Sequence, residues 1–153
     1  MKQKFSLDEI MESGKKAVES TVAEGLLPPP GVIAWSDIAG KVPLCTKTFP
    51  RPLFKSMVTT FLQVVDAYVF AYVTVGCIAI ASEEKLAKAE KGELDFNELP
   101  EEDKDDVIIL HVADRTGNSQ SFVAVIDNIR TVPKIREWRQ VSNVTGRLFV
   151  KTW

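Results

Sequence analysis

The sequence predicts an α+β fold in which N-terminal helices pack on a mainly antiparallel sheet of about four to five strands. Three observations support this class. An amphipathic helix with a marked start opens the chain. Runs rich in Val, Ile, Phe and Tyr follow in the second half, and turn residues separate the last of them. We expect one domain, with a helical part over about 1–66, a sheet part over about 67–153 and an acidic loop at 93–106.

The first helix is marked at both ends. Ser6 and Glu9 have the spacing of a capping box, in which each side chain bonds the other residue's backbone N–H. Gly25 supplies a stop signal. Between them, apolar or small residues recur at helical spacing and predict a face that docks on the core. These residues are Leu7, Ile10, Met11, Gly14, Ala17, Val18 and Val22.

Three consecutive prolines, Pro28 to Pro30, follow the first helix. They cannot continue a helix, and they favour a stiff extended connector between two packed elements. A ligand for a proline-recognition module is the alternative. Glycines and prolines then interrupt any period over 31–50, so we expect this stretch to be irregular and to lie against the core. A second amphipathic helix runs from Pro52 to about Val64.

The run from Ala67 to Ala81 holds fifteen residues without a charge. A helix of that length spans about 22 Å, which is less than the roughly 30 Å of a bilayer's hydrocarbon core. Its β-branched and aromatic residues favour strands. We therefore expect a buried strand, or two pieces kinked at Gly76, and no membrane contact. A short third helix is predicted from Ser82 to Gly92.

Two segments, Val107–Asp114 and Ser119–Asp127, form a predicted hairpin around a polar turn. Both alternating sets of residues in these strands are apolar, so we expect the sheet to be covered on both faces. The N-terminal helices can cover one face. The third helix, the irregular segment or a second subunit must cover the other, which favours self-association.

A second hairpin is predicted from the segments 135–141 and 147–152, although a short helix is an alternative for the first of them.

The charge of the chain is low overall but unevenly distributed. The formal net charge is −2, which argues against nucleic-acid binding. Residues 93–106 carry a net charge of −7, whereas residues 128–153 carry +5. Two cysteines without metal-ligand spacing indicate free thiols in the cytoplasm. No cofactor, phosphate-loop or metal motif is present in the sequence.

A few residues are candidates for binding. His111 is the single histidine and can act as a general base, although a histidine held in the core by one hydrogen bond is the favoured interpretation. A ligand pocket between helices and sheet would be lined by Trp35, Tyr68, Tyr72, His111 and Trp138. An anion would bind at Arg136, Arg139 and Arg147, whereas pairing of these arginines with the acidic loop is the favoured alternative.

These patterns predict a non-enzymatic interaction or assembly module that forms a homo-oligomer. The first alternative is a small-molecule-binding domain with a pocket between helices and sheet. The second alternative is a hydrolase that depends on His111.

Overall fold

The computed structural model describes residues 4–79, 84, 87–88, 91–92, 104–141, 150 and 153. Within them the order is α1 (Leu7–Ala23), β1 (Gly31–Ser36), β2 (Gly40–Cys45), a 3-10 turn (Arg51–Leu53), α2 (Phe54–Val64), β3 (Ala67–Ala79), β4 (Lys104–Asp114), β5 (Ser119–Asp127) and β6 (Lys134–Val141). The strands form one antiparallel sheet in the order β2-β1-β3-β4-β5-β6. The predicted α+β class is confirmed, with six strands in place of four or five.

The stretch that was expected to be irregular is a β-hairpin, so that expectation was wrong. β1 pairs with β2 from Gly31–Cys45 to Ser36–Gly40. Gly40 has a φ of 74° in the turn, a conformation that favours glycine. Pro43 lies on β2, an edge strand of the described sheet, and an edge strand tolerates a residue without an N–H donor. The glycine and the proline, which were interpreted as interruptions of secondary structure, are therefore part of the hairpin.

α1 covers one face of the sheet. The capping box is confirmed, because the Glu9 backbone N–H donates to Ser6 Oγ at 3.2 Å and the Ser6 N–H donates to Glu9 Oε2 at 3.4 Å. The buried residues of the helix pack on side chains of β3, β4 and β5. Gly14 allows a close approach, since a Cβ there would lie 2.9 Å from a methyl group of Leu110. α1 therefore lies against the centre of the sheet.

α2 covers the opposite face. Its buried residues Val58 and Leu62 belong to a cluster with Phe70 of β3. Phe70 and the α1 partner Val69 are successive strand residues, so their side chains leave opposite faces of the sheet. Trp153 completes this layer, because its indole N–H donates to the Ala67 carbonyl at 2.9 Å and its ring meets Phe70 edge-on at 5.2 Å.

Each face of the sheet has one helix of the same chain packed on it, α1 on one face and α2 on the other. On β4, residues 107–113 are buried apart from the half-buried Ile109. This agrees with the prediction that both faces are covered. The two helices lie on opposite faces, which corrects the expectation that they share one face.

The remaining predicted elements are only partly described. β3 is one continuous strand that stays paired through Gly76, and β6 is a strand rather than the alternative helix. Most of the predicted third helix, the acidic loop up to residue 103 and the predicted return strand 147–152 except Val150 lie outside the described residues.

Replacing Leu62 by alanine tests the packing of α2. Leu62 is fully buried, so we expect Leu62→Ala to lower the free energy of unfolding by about 2–5 kcal/mol, because it removes buried methyl groups and leaves a cavity. Urea denaturation followed by circular dichroism measures the change. Gln63→Ala is the matched control, because Gln63 is exposed on the same helix. Equal effects of the two substitutions would contradict this packing.

Candidate functional site

The β1–β2 hairpin is open on the face that carries α1. On β1, the residues toward α2 are buried and those toward α1, including Ile33 and Trp35, are half-buried. On β2, Lys41, Pro43 and Cys45 are exposed. The main contacts of α1 are with β3 to β6, and Trp35 of β1 packs at the edge of the cluster around Ile10 and Met11. The helix therefore leaves most of this part of the sheet uncovered.

A groove of about 400 Å³ lies between α1 and the hairpin, and we call it the α1 groove. One wall of the groove is α1, which contributes Ile10, Gly14, Ala17 and Thr21 from successive helical turns. Strand residues of β1, β3 and β4 form the floor. The chain from Pro28 to Pro30 closes one end, so the predicted stiff connector also borders the groove. Its other lining residues are Ser13, Val18, Gly31, Val32, Ile33, Trp35, Lys41, Pro43, Leu44, Cys45, Ala71, Tyr72, Val73 and Leu110.

The α1 groove is apolar apart from a few groups. Among its described lining residues Lys41 is the one charged side chain, and its Nζ lies 5.9 Å from the centre of the Trp35 ring. The side-chain polar groups on this face include the hydroxyls of Ser13 and Thr21 and the thiol of Cys45. The Thr21 hydroxyl is already engaged, because it donates to the Ala17 carbonyl at 2.9 Å. A volume of this size and this composition are typical of small-molecule sites.

A second cavity, of about 490 Å³, adjoins the groove at the start of α1, and we call it the N-terminal cavity. It shares Ile10, Ser13, Trp35 and Lys41 with the α1 groove. It differs in charge, because Glu9 and Asp37 also line it. Asp37 is paired with Lys4 at 3.3 Å. The apolar groove therefore ends in a more polar region.

Among the predicted ligand residues, Trp35 packs on the α1 side of the sheet and lines the groove. Tyr72 borders the groove, but its ring packs on Phe54 of α2 across the sheet, with 5.0 Å between ring centres. Burial raises the pKa of the Tyr72 hydroxyl, against the opposing effects of a hydrogen bond with Thr74 and of a nearby arginine charge. Tyr68 lines the N-terminal cavity instead.

The other two predicted ligand residues do not line the groove. The Trp138 ring lies beneath α1, where its N–H donates to Glu19 Oε1 at 3.0 Å and Lys15 Nζ lies 5.8 Å from its ring centre. His111 is 1% exposed on the α2 side of the sheet. The structure does not bring the five residues into one site.

His111 occupies the core position that the sequence favoured. Its Nδ1 is 2.7 Å from Ser121 Oγ on the neighbouring strand, and its ring meets Phe70 edge-on at 5.9 Å. Ser121 is itself buried. A histidine–serine pair has the residue types of a nucleophilic site, but burial of both side chains leaves no approach for a substrate in the described structure. The contact supports packing of the sheet.

The predicted anion-binding arginines are engaged with carboxylates. Arg136 Nε donates to Asp127 at 3.1 Å, and Arg139 Nε donates to Glu137 at 2.9 Å. Both guanidinium groups also lie within 4 Å of the largely buried Asp105. The hydrogen bond from Arg136, against an opposing effect of burial and together with the charge of the same guanidinium group, holds the pKa of Asp127 below its usual range. Arg147 lies outside the described residues.

Sequence reasoning missed the helix wall of the α1 groove. Ser13, Ala17 and Thr21 recur at a spacing of four residues and so share one side of α1. Ser13 and Thr21 lie outside the apolar stripe of α1, so the hydrophobic pattern did not identify them as lining residues. The sequence signal for space along the helix was this row of residues with short side chains, which lies beside the apolar face of α1.

Groups of three or more potential metal ligands do not occur among the described residues. Neither α1 nor α2 combines the length and the apolar composition that crossing a bilayer requires. Comparison of the chain with protein-family models, with curated proteins and with solved structures gives no match.

Removing the Ser121 hydroxyl tests the role of His111. We expect Ser121→Ala to lower the free energy of unfolding by about 1–3 kcal/mol, because it takes a hydrogen-bond partner from a buried imidazole nitrogen. Urea denaturation measures the change. Ser119→Ala, at an exposed position of the same strand, is the control. A Ser121 variant as stable as this control would contradict the structural role.

Proposed function

We propose that the protein is a non-enzymatic binding protein for a small, elongated, apolar molecule, and that the molecule lies in the α1 groove. The observation that supports this most strongly is that α1 does not cover the β1–β2 hairpin on its own side of the sheet. Ile33 and Trp35 lie there beside the helix and are not sealed by it. A ligand that covers these side chains removes apolar surface from water, which favours binding.

The shape of the groove supports an elongated ligand. The lining residues of α1 run from Ile10 to Thr21, which corresponds to roughly 16 Å at the rise of an α-helix. The floor belongs to a paired sheet and one wall to a regular helix, so both are formed before a ligand arrives. A preformed site loses little conformational entropy on binding.

Filling the groove tests this proposal. We expect Ala17→Phe to weaken binding of the uncharged dye Nile red by about tenfold or more, because the ring occupies the space beside the sheet. Fluorescence titration measures the affinity, and circular dichroism checks that the variant is folded. Ala23→Phe is the matched control, because Ala23 lies on the same helix outside the groove lining. Absence of dye binding by the wild-type protein, or equal affinities in both variants, would refute the proposal.

Self-association is the second candidate function, and an exposed apolar stripe that runs from the 3-10 turn along α2 favours it. Leu53, Met57 and Val64 are 53%, 37% and 79% exposed and follow one another at helical spacing. We call them the α2 stripe. α2 itself carries one charged residue, Lys55. Two copies can therefore pack antiparallel about a two-fold axis with little repulsion, so that Leu53 of one copy meets Val64 of the other.

Size-exclusion chromatography with light scattering tests self-association. The expected result is a dimer in the wild-type protein and a monomer in Met57→Lys, because a charge at the centre of the stripe opposes burial. Ile38→Lys is the control, since Ile38 is 81% exposed in the β1–β2 turn, away from α2. A wild-type monomer at high protein concentration would exclude this candidate and leave ligand binding unaffected.

We also propose a cytoplasmic location. Cys45 is an exposed thiol on β2, and a reducing compartment preserves a thiol in this state.

A further inference from the structure

We propose that the ligand of the α1 groove is an amphiphile with one anionic head group, such as a fatty-acid carboxylate, and that Lys41 binds this head. The inference rests on the proposed function of the groove. It adds the chemical class of the ligand and the direction in which it lies.

The charge of the groove supports an anion. Among the described lining residues Lys41 alone is charged, and no carboxylate lines the groove itself. An apolar tail can bury Ile33, Ala71 and Val73, which belong to the floor. A single negative group on the ligand would then meet a single positive group of the protein.

The place of the head group follows from the two adjoining cavities. Ser13 and Lys41 border both the α1 groove and the N-terminal cavity, so they mark the junction. Beyond the junction, Glu9 lines the N-terminal cavity, and its carboxylate repels an anion. A head group is therefore attracted as far as Lys41 and no further. The Ser13 hydroxyl, on the facing helix wall, is a donor at the same point.

The direction of the tail follows from the helix. The far end of the groove, at Thr21 and the Pro28–Pro30 segment, is beside the C-terminal end of α1. The backbone carbonyls there carry a partial negative charge, which disfavours an anion. The tail therefore lies toward the prolines, and the head lies toward the first half of α1.

A set of probes with the same alkyl chain tests the inference. Dodecanoate, dodecanol and dodecylammonium are each titrated against the wild-type protein by competition with Nile red, below their aggregation concentrations. We expect dodecanoate to bind about fivefold more tightly than dodecanol at low salt, as for one exposed ion pair. Dodecylammonium should bind most weakly. Added salt should remove the advantage of dodecanoate because it screens the pair.

Lys41→Met should bring the affinity for dodecanoate down to that for dodecanol, and Lys41→Arg should retain the difference. Lys55→Met is the matched control, because Lys55 is exposed on α2, on the other side of the sheet. Equal binding of dodecanoate and dodecanol by the wild type, or a preference for dodecylammonium, overturns the anionic head while the apolar groove stands. Failure of every probe to bind overturns the proposed function as well.

Discussion

The pairing of β3 with β4 is the interaction on which the other layers depend. It runs without a break from Val69–Asp114 to Ala79–Lys104. Both strands present apolar side chains to each face, so each helix has a continuous surface to pack against. Burial of these side chains is the dominant favourable term in folding. The two helices are therefore held by the same two strands from opposite sides, and the outer strands extend beyond them.

The groove follows from this arrangement. α1 is anchored where Gly14 meets Leu110, close to the centre of the sheet. A single helix is about 10 Å wide with its side chains, about two strand spacings, and cannot cover six strands. On the other face, α2 and the Trp153 ring share the covering of Phe70. On the α1 face no described element covers the inner side of β1 and β2. A channel remains there between helix and hairpin.

Local signals were enough to predict most of the fold. The Ser6–Glu9 capping box acts within one helical turn, and the apolar run from Ala67 holds enough β-branched residues to be recognised as a strand. The hairpin at 31–45 was missed because its glycines and prolines were weighed one by one. Gly40 was interpreted as a break in the pattern, although the turn of this hairpin has a positive φ at Gly40, a conformation that favours glycine. Pro43 is acceptable because β2 is an edge strand of the described sheet. That position follows from the order of the strands in the sheet and cannot be inferred from residues 31–45 alone.

The site was less predictable than the fold for a related reason. Trp35 was predicted as a lining residue, and it does line the groove. His111, Tyr72 and Trp138 were predicted to line the same pocket. The strand register places Tyr72 and His111 opposite each other on the α2 side, whereas Trp35 is on the other side. Which residues share a face depends on long-range pairing, and composition does not contain that information.

Charge has different roles in different parts of the molecule. At the β5–β6 end, Arg136 and Arg139 are compensated by Asp127, Glu137 and Asp105 within the chain. Such pairs contribute little net affinity for a further anion, because the carboxylates already neutralise the guanidinium groups. Lys41 has a different environment, since its described neighbour is the Trp35 ring and the groove beside it holds no carboxylate. In the proposed site, one cation next to apolar surface favours an amphiphile, because an inorganic anion would leave that surface in water and an uncharged apolar molecule would leave the cation without a counter-charge.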